Sequence, residues 1–402
     1  MPSQAGVCSA QVHTTNDEKM TQRTAIFARS WNGIEFWFGE FLLCSQLLDY
    51  ISLEDRLSLH ATCKHIDSKM FKWAIEMRVF PWSLVSAMAR SRSMHQRAKF
   101  QLVHKLFVDK VAEPLQPGSL PATHLTHVTF GPEFNEMLQV GVVPEGVVTL
   151  NMGDDFNQPL CPGVLPSTLR TLLLSDYFDQ AIEPGVLPQS LKRLTFGQFF
   201  DQPLSKDALP SSLKQLTFGE FYSQPLPTKV LPDGLKQLIF GDQFDQAIGP
   251  DVLPVNLEYL QFGAEFNKPL SEVYLPENLE RVTFGEHFNQ PLEKDDLPFS
   301  LKRLTFGEDF DHDLSQDALP RNLTHLKFGN GFNQPFKRGV LPVTLTHLTV
   351  GKLFKQSLGG SVLPPDLKWL KFEEGEIDSP RIECMLTERE LKNVLGWLSR
   401  VS

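Results

Sequence analysis

The segment Leu187–Ala208 reads LPQSLKRLTFGQFFDQPLSKDA, and it is one copy of a unit that recurs along most of the chain. A Leu-Pro or Val-Pro pair opens each copy, with prolines at 121, 144, 166, 188, 210, 232, 254, 276, 298, 320, 342 and 364. After a first step of 23 residues, every step is 22 residues. A fixed period between about 20 and 50 residues is typical of a solenoid, in which each unit contacts only its neighbours.

The pattern within the unit indicates a short strand and no long helix. We number the unit from the Leu of Leu-Pro; apolar residues recur at positions 1, 5, 8, 10, 14 and 18. In this copy they are Leu187, Leu191, Leu194, Phe196, Phe200 and Leu204. Positions 7 to 10 alternate between polar and apolar residues, as in a half-buried strand, while Gly at position 11 ends it. Proline at position 2, and often at 17, excludes a helix. Stacked units therefore predict a parallel β-solenoid of about 11–12 repeats with continuous columns of Leu and Phe.

Position 15 carries a short polar residue in almost every copy. The residues are Asn135, Asn157, Asp179, Asp201, Ser223, Asp245, Asn267, Asn289, Asp311 and Asn333, before Lys355 interrupts the series. Such side chains can bond to main-chain groups that are left open where a chain turns. We therefore expect position 15 to stabilise the turns.

The sequence L-x-F-G-x-x-F-[ND]-Q-P-L resembles the FNIP repeat, an offshoot of the leucine-rich repeats. A close copy, VTFGEHFNQPL, runs from Val282 to Leu292, and the resemblance extends roughly over Leu120–Phe372. It implies a curved, leucine-rich-repeat-like solenoid with its strands on the concave side. Five copies lack the proline at position 17, where we expect local changes within the same fold: Met137, Ala181, Ala247, Asp313 and Ser357.

The stretch LLDYISLEDRLSLHATCKHI, Leu47–Ile66, resembles the middle of an F-box. The F-box is an α-helical module that docks to the Skp adaptor of cullin–RING ubiquitin ligases. The resemblance implies an adaptor-binding surface formed by Leu47, Leu48, Tyr50, Leu57, Leu59 and Cys63. An alternative stays open, because repeat arrays need caps over their exposed ends and these could be core positions of a helical cap.

These patterns divide the chain into five parts. We expect a disordered tail over 1–25, an F-box-like helical domain over 26–82, and a basic helical linker or amino-terminal cap over 83–118. The predicted helix runs from about Ser83 to Val108, since this stretch lacks Pro and Gly. The FNIP-repeat solenoid follows over 119–374, and an amphipathic capping helix over 375–402.

Composition excludes several function classes. The formal net charge of −10 argues against nucleic-acid binding, and no apolar run approaches the roughly 18 residues of a membrane span. Five scattered cysteines favour a reducing compartment, so we expect an intracellular, cytoplasmic protein, with the nucleus left open. No motif indicates catalysis, a cofactor or a metal site. Acidic residues recur at position 12 and basic residues at position 6, and we expect these stripes to balance each other along the strands.

Residues at position 7 point away from the predicted core and vary between copies. Aromatic residues and Arg, which anchor protein interfaces, are enriched among the later ones. The candidate target-binding residues are Arg193, Tyr259, Arg281, Arg303, His325, His347 and Trp369. The alternative is that they are ordinary exposed residues of a sheet. The sequence thus favours a substrate receptor of a Skp-cullin-F-box ligase whose concave face binds a protein, or a non-enzymatic scaffold with a helical cap.

Overall fold

The computed structural model describes residues 104–108, 114–359 and 362–373, together with the backbone of 79–81. The chain divides into two compact units, 1–77 and 78–402, and all described residues belong to the second. Within them, fourteen strands form one parallel sheet in chain order. The strands are β1 Val79–Pro81, β2 Lys105–Val108, β3 His127–Phe130, β4 Thr149–Asn151, β5 Thr171–Leu173, β6 Arg193–Thr195, β7 Gln215–Thr217, β8 Gln237–Ile239, β9 Tyr259–Gln261, β10 Arg281–Thr283, β11 Arg303–Thr305, β12 His325–Lys327, β13 His347–Val350 and β14 Trp369–Phe372.

The register of the sheet pairs equivalent positions of successive repeats. Arg281 of β10 faces Arg303 of β11, and Leu304 of β11 faces Leu326 of β12. From β2 onward every partner lies 22 residues further along the chain, so each position of the repeat becomes a column that runs through the solenoid. The predicted parallel β-solenoid is therefore confirmed.

The core consists of the predicted Leu and Phe columns. We call each 22-residue turn of the solenoid a rung. Phe262, which is 1% exposed, stacks on Phe266 of its own rung with 3.8 Å between ring centroids, and on Phe284 of the next rung with 5.6 Å between centroids. Similar pairs repeat along most of the array, with rings nearly parallel. Tyr222 replaces Phe at position 14 of one rung, and its buried hydroxyl has no hydrogen-bond partner among the described residues.

A further buried column lies at position 22, which the sequence analysis did not include among the six apolar positions. Its members are Val142, Val164, Val186, Ala208, Val230, Val252, Ala318 and Val340. Position 22 precedes the Leu or Val of the Leu-Pro or Val-Pro pair, so two consecutive residues are buried where the chain enters these rungs, whereas Tyr274 at the same position is exposed. The recurring Gly-Val-Leu-Pro motif was the sequence signal for it.

Position 15 forms a ladder of hydrogen bonds, as predicted. Asn289 N–H donates to the Asn267 side-chain oxygen at 3.0 Å, and Asp311 N–H donates to that of Asn289 at 3.2 Å. The Gln at position 16 donates to the same oxygen, as Gln290 does to Asn267 at 3.0 Å. One short side chain thus accepts two bonds from the next rung, which accounts for the Asn/Asp-Gln pair in the repeat.

The turn at position 21 uses left-handed backbone. Asp207, Asp251 and Asp317 have φ values of 66°, 61° and 65°, and Gly occupies this position in other rungs. Asp and Gly tolerate this conformation best, whereas a β-branched residue does not. Val273 holds the position in one rung, and there the chain forms a 3₁₀ helix, Leu270–Glu272, and a parallel bridge between Val273 and Ile248. Ile248 follows Ala247, one of the five sites that lack proline.

The sheet begins earlier than the repeat motif. Residues 105–108 form β2 with Leu106 and Val108 buried, so the helix predicted up to Val108 is wrong at its end. This rung precedes the first Leu-Pro pair, yet it keeps the 22-residue register with β3. Its three consecutive apolar residues, Leu106, Phe107 and Val108, form a strand once a neighbouring rung supplies the hydrogen bonds. The F-box-like helical domain predicted over 26–82 is wrong at its end, because Val79–Pro81 forms β1 and pairs with β2. The rest of that domain, its adaptor-binding residues, the linker up to residue 103 and the carboxy-terminal capping helix lie outside the described residues.

Candidate functional site

The position-7 side chains of β9–β14 form one continuous row on the sheet face opposite the core. Register places them directly next to one another in the order Tyr259, Arg281, Arg303, His325, His347 and Trp369. Each flanks a core residue at position 8, and the sheet alternates faces along a strand. We call these six residues the late row.

Neighbours in the late row contact one another. The Arg281 guanidinium carbon lies 4.9 Å from the centroid of the Tyr259 ring. The His325 and His347 rings stack at 4.2 Å, and His347 continues to Trp369 at 6.4 Å. Tyr259 also donates its hydroxyl hydrogen to the Gln261 side chain. The row is therefore a nearly continuous surface of planar groups, which restrains their rotamers before any partner binds.

The centre of the late row is positively charged. Arg281 and Arg303 are both exposed, and neither forms an ion pair with another described residue. Burial lowers the pKa of His325, and the nearby His347 and Arg303 lower it further. The Nδ1 atoms of both histidines lie 2.9 Å from threonine hydroxyls, those of Thr324 and Thr346. Two adjacent, unpaired guanidinium groups can bind carboxylates or phosphates through paired hydrogen bonds.

Arg193 does not join the late row. It lies on β6, where its position-7 neighbours are Thr171 and Gln215. The following rung links Gln215 to Gln237 through a side-chain hydrogen bond of 2.9 Å. The structure therefore brings together six of the seven predicted target-binding residues and separates Arg193 from them by an uncharged stretch.

The basic side chains at position 6 pair within their own stripe. Lys236 bonds to Glu258 at 2.6 Å, and Lys302 bonds to Glu280 at 2.5 Å. Both glutamates occupy position 6 of an adjacent rung, so these two lysines find their partners beside them and not at position 12. The prediction that the basic residues at position 6 and the acidic residues at position 12 balance each other is thus wrong for these two lysines.

An exposed stack of aromatic side chains at position 13 was not predicted from the sequence. It consists of Tyr177, Phe199 and Phe221, on three successive rungs. Position 13 varies strongly along the chain, so no repeat consensus marks it. Only three consecutive aromatic residues at a 22-residue spacing could have indicated it.

The described part of the chain shows neither a metal-binding cluster nor a membrane-spanning helix. It contains no group of three or more His, Cys, Asp or Glu residues placed to hold a metal ion. It also contains no helix with the length and apolar character of a membrane span.

Comparison with known proteins assigns the repeats to a family. The family described as FNIP Repeat matches residues 134–177, 178–221, 222–263, 244–287, 288–331 and 332–375. The chain belongs to the FNIP-repeat family. Most matches span two rungs, so the FNIP repeat corresponds to a pair of the 22-residue units. No curated protein matches the chain.

A solved structure supports the relation to leucine-rich repeats. The FNIP-repeat chain is 42% identical to CroV588, whose crystal structure is described as a novel circular LRR protein, with a TM-score of 0.66. The match covers 68% of this chain and 40% of CroV588. This chain therefore spans less than half the length of that relative.

Proposed function

We propose that this FNIP-repeat protein binds a target protein along the late row and acts as the substrate receptor of a Skp-cullin-F-box-type ubiquitin ligase. The binding half of the proposal is supported by the solenoid fold, since such arrays typically serve as extended binding surfaces. The ligase half is supported by the F-box resemblance of Leu47–Ile66. A cytoplasmic or nuclear location agrees with both halves.

The continuity of the late row is the observation that carries the binding proposal. Six rungs at a sheet spacing of about 4.8 Å give a row roughly 25 Å long. A small metabolite favours a concave pocket that buries most of its surface, whereas a peptide or protein edge fits an open row of this length. The unpaired Arg281 and Arg303 select a partner with carboxylates or phosphates, and Tyr259 and Trp369 supply apolar contact at the ends.

The target half is tested by the double variant Arg281→Ala/Arg303→Ala. Proteins captured by the tagged full-length chain are quantified by mass spectrometry and compared with the wild type. We expect a subset of proteins to be lost, with an unchanged melting curve, because both side chains are exposed. The matched control is Lys214→Ala/Lys236→Ala, which removes the same charge from position 6. If the lysine pair proves the more damaging, the partner binds at the edge of the sheet and not on the late row.

The ligase half is tested by charged substitutions, Leu48→Glu/Leu57→Glu. We expect the Skp adaptor to co-purify with the wild-type chain and with the position-6 control, but not with this variant, while the solenoid stays folded. If the wild type never binds the adaptor under conditions in which known F-box proteins do, the receptor proposal is wrong. The alternative, a scaffold whose amino-terminal helices only cap the solenoid, then replaces it.

A further inference from the structure

The exposed aromatic stack lies outside the sheet, in the turn that follows each strand. The ring centroids of Tyr177 and Phe199 are 4.9 Å apart, and those of Phe199 and Phe221 are 5.1 Å apart. The three side chains are 53%, 37% and 39% exposed, in chain order. Contiguous apolar groups of this size on a surface mark sites of interaction.

The stack is held rigidly and has an open end. Main-chain bonds between rungs fix its register: Phe199 N–H donates to the Asp176 carbonyl at 2.8 Å, and Tyr177 N–H donates to the Asp154 carbonyl at 3.0 Å. In the preceding rung the same position holds Asp155, so no ring continues the stack beyond Tyr177. The outer face of Tyr177 is therefore available for a planar group, one rung spacing away.

Negative charge surrounds this open end. Asp154, Asp155 and Asp176 are exposed, and none of them forms an ion pair with another described residue. Burial raises the pKa of Asp154, and the charges of Asp176 and Asp155 raise it further. Asp154 is thus close enough to the other two carboxylates to be repelled by them, and a cation beside it would relieve that repulsion.

We propose that the open end of the stack binds an arginine-bearing segment of a partner protein. The guanidinium group stacks on the outer face of Tyr177, and its N–H groups donate to the carboxylates of Asp154, Asp155 and Asp176. Arginine fits better than lysine, because its planar group both stacks on a ring and donates in a fork. A planar cation at one rung spacing also continues the geometry of the stack.

The same pairing occurs elsewhere in this chain. Arg281 lies over Tyr259 at 4.9 Å, and the two residues occupy equivalent positions of adjacent rungs. The spacing of the rungs therefore suits an arginine stacked on a tyrosine. This surface lies on rungs other than those of the late row and selects the opposite charge, so either proposal can fail without the other.

The experiment measures peptide binding to the full-length chain by fluorescence anisotropy. The probe is a dye-labelled peptide, Gly-Arg-Gly-Arg-Gly, compared with versions that carry lysine or the neutral isostere citrulline. We expect the arginine peptide to bind most tightly and the citrulline peptide least. Tyr177→Ser, and separately the triple variant Asp154→Asn/Asp155→Asn/Asp176→Asn, should each weaken arginine-peptide binding by about fivefold.

Two matched control variants distinguish binding at this site from non-specific electrostatic attraction of a basic peptide to an acidic protein. Leu353→Ser removes another exposed apolar side chain at position 13. The variant Glu286→Gln/Glu308→Gln/Asp309→Asn removes the same charge from positions 12 and 13 of later rungs. We expect neither control to change the affinity. Equal losses in the controls, or equal binding of the arginine and citrulline peptides, would overturn the proposal.

Discussion

Replacement of Gly241 by Ala tests how closely the rungs approach one another. A Cβ atom at Gly241 would lie 1.7 Å from the carbonyl oxygen of Gly219 in the preceding rung. The φ angle of Gly241 is not in the left-handed region, so glycine is required there by the close approach and not by its own conformation. The same clash recurs at position 11 from Gly197 to Gly351, which explains why these rungs keep glycine there, whereas Ser175 holds the position in the rung before Gly197.

The expected cost follows from the bonds that hold these two rungs together. An ordinary contact is about 3.5 Å, so the rungs must separate locally by more than about 1 Å. Two main-chain bonds flank the site, Gln243 N–H to the Glu220 carbonyl at 2.8 Å and Phe218 N–H to the Ile239 carbonyl at 2.9 Å. Weakening them costs about 1 kcal/mol each, and overpacking adds about 1–3 kcal/mol. Because alanine restricts the unfolded chain, the net loss in unfolding free energy is about 2–4 kcal/mol.

Urea denaturation followed by circular dichroism measures the loss, and hydrogen exchange at the Gln243 and Phe218 amides locates it. The control is Gly249→Ala in the same rung, where an added Cβ meets no atom within 4 Å. We expect this control to leave stability unchanged or to raise it by about 0.4–1 kcal/mol. If both variants unfold at the same urea concentration, the close approach of the rungs does not constrain position 11 and the reasoning is wrong.

Three further predictions concern the core and the late row. Phe262→Ala should lower the free energy of unfolding by about 3–5 kcal/mol, because the ring is buried between two neighbouring rungs; an unchanged melting curve would contradict its place in the core. Tyr222→Phe should raise stability by about 1 kcal/mol in the same assay, since it removes a buried hydroxyl without a partner and matches Phe200 and Phe244; a loss would mean that the hydroxyl is bonded. His325 has its pKa lowered below 6.5, so the unfolded chain takes up the proton first and stability falls as pH drops below about 6.5. His325→Gln should reduce the drop in melting temperature between pH 7.5 and 5.5, and an identical drop in both proteins would refute this contribution.

The fold could be predicted from the sequence alone, because the repeat period of a solenoid determines which residues lie in the same buried column. A strict 22-residue spacing forces every position into a column, so the apolar identity of Leu194 or Phe196 in one copy indicates the interior of the whole array. The hydrogen bonds formed by the side chains at position 15 could be predicted for the same reason. A short acceptor at the turn, such as Asn267 or Asn289, meets the same main-chain donor of the next rung.

The tertiary structure decided which exposed side chains meet, and where the sheet begins. Lys236 pairs with Glu258 beside it, and Arg193 stands apart from the late row, because surface contacts depend on the particular residues of adjacent rungs and not on the consensus. No Leu-Pro pair precedes the strand at Lys105–Val108. Its place in the sheet depends on its hydrogen bonds to β3, which only the folded structure shows. The open end of the stack at Tyr177 likewise exists only because a short Asp155 replaces a ring in the preceding rung, and a neighbour 22 residues away in sequence becomes adjacent only in the folded solenoid.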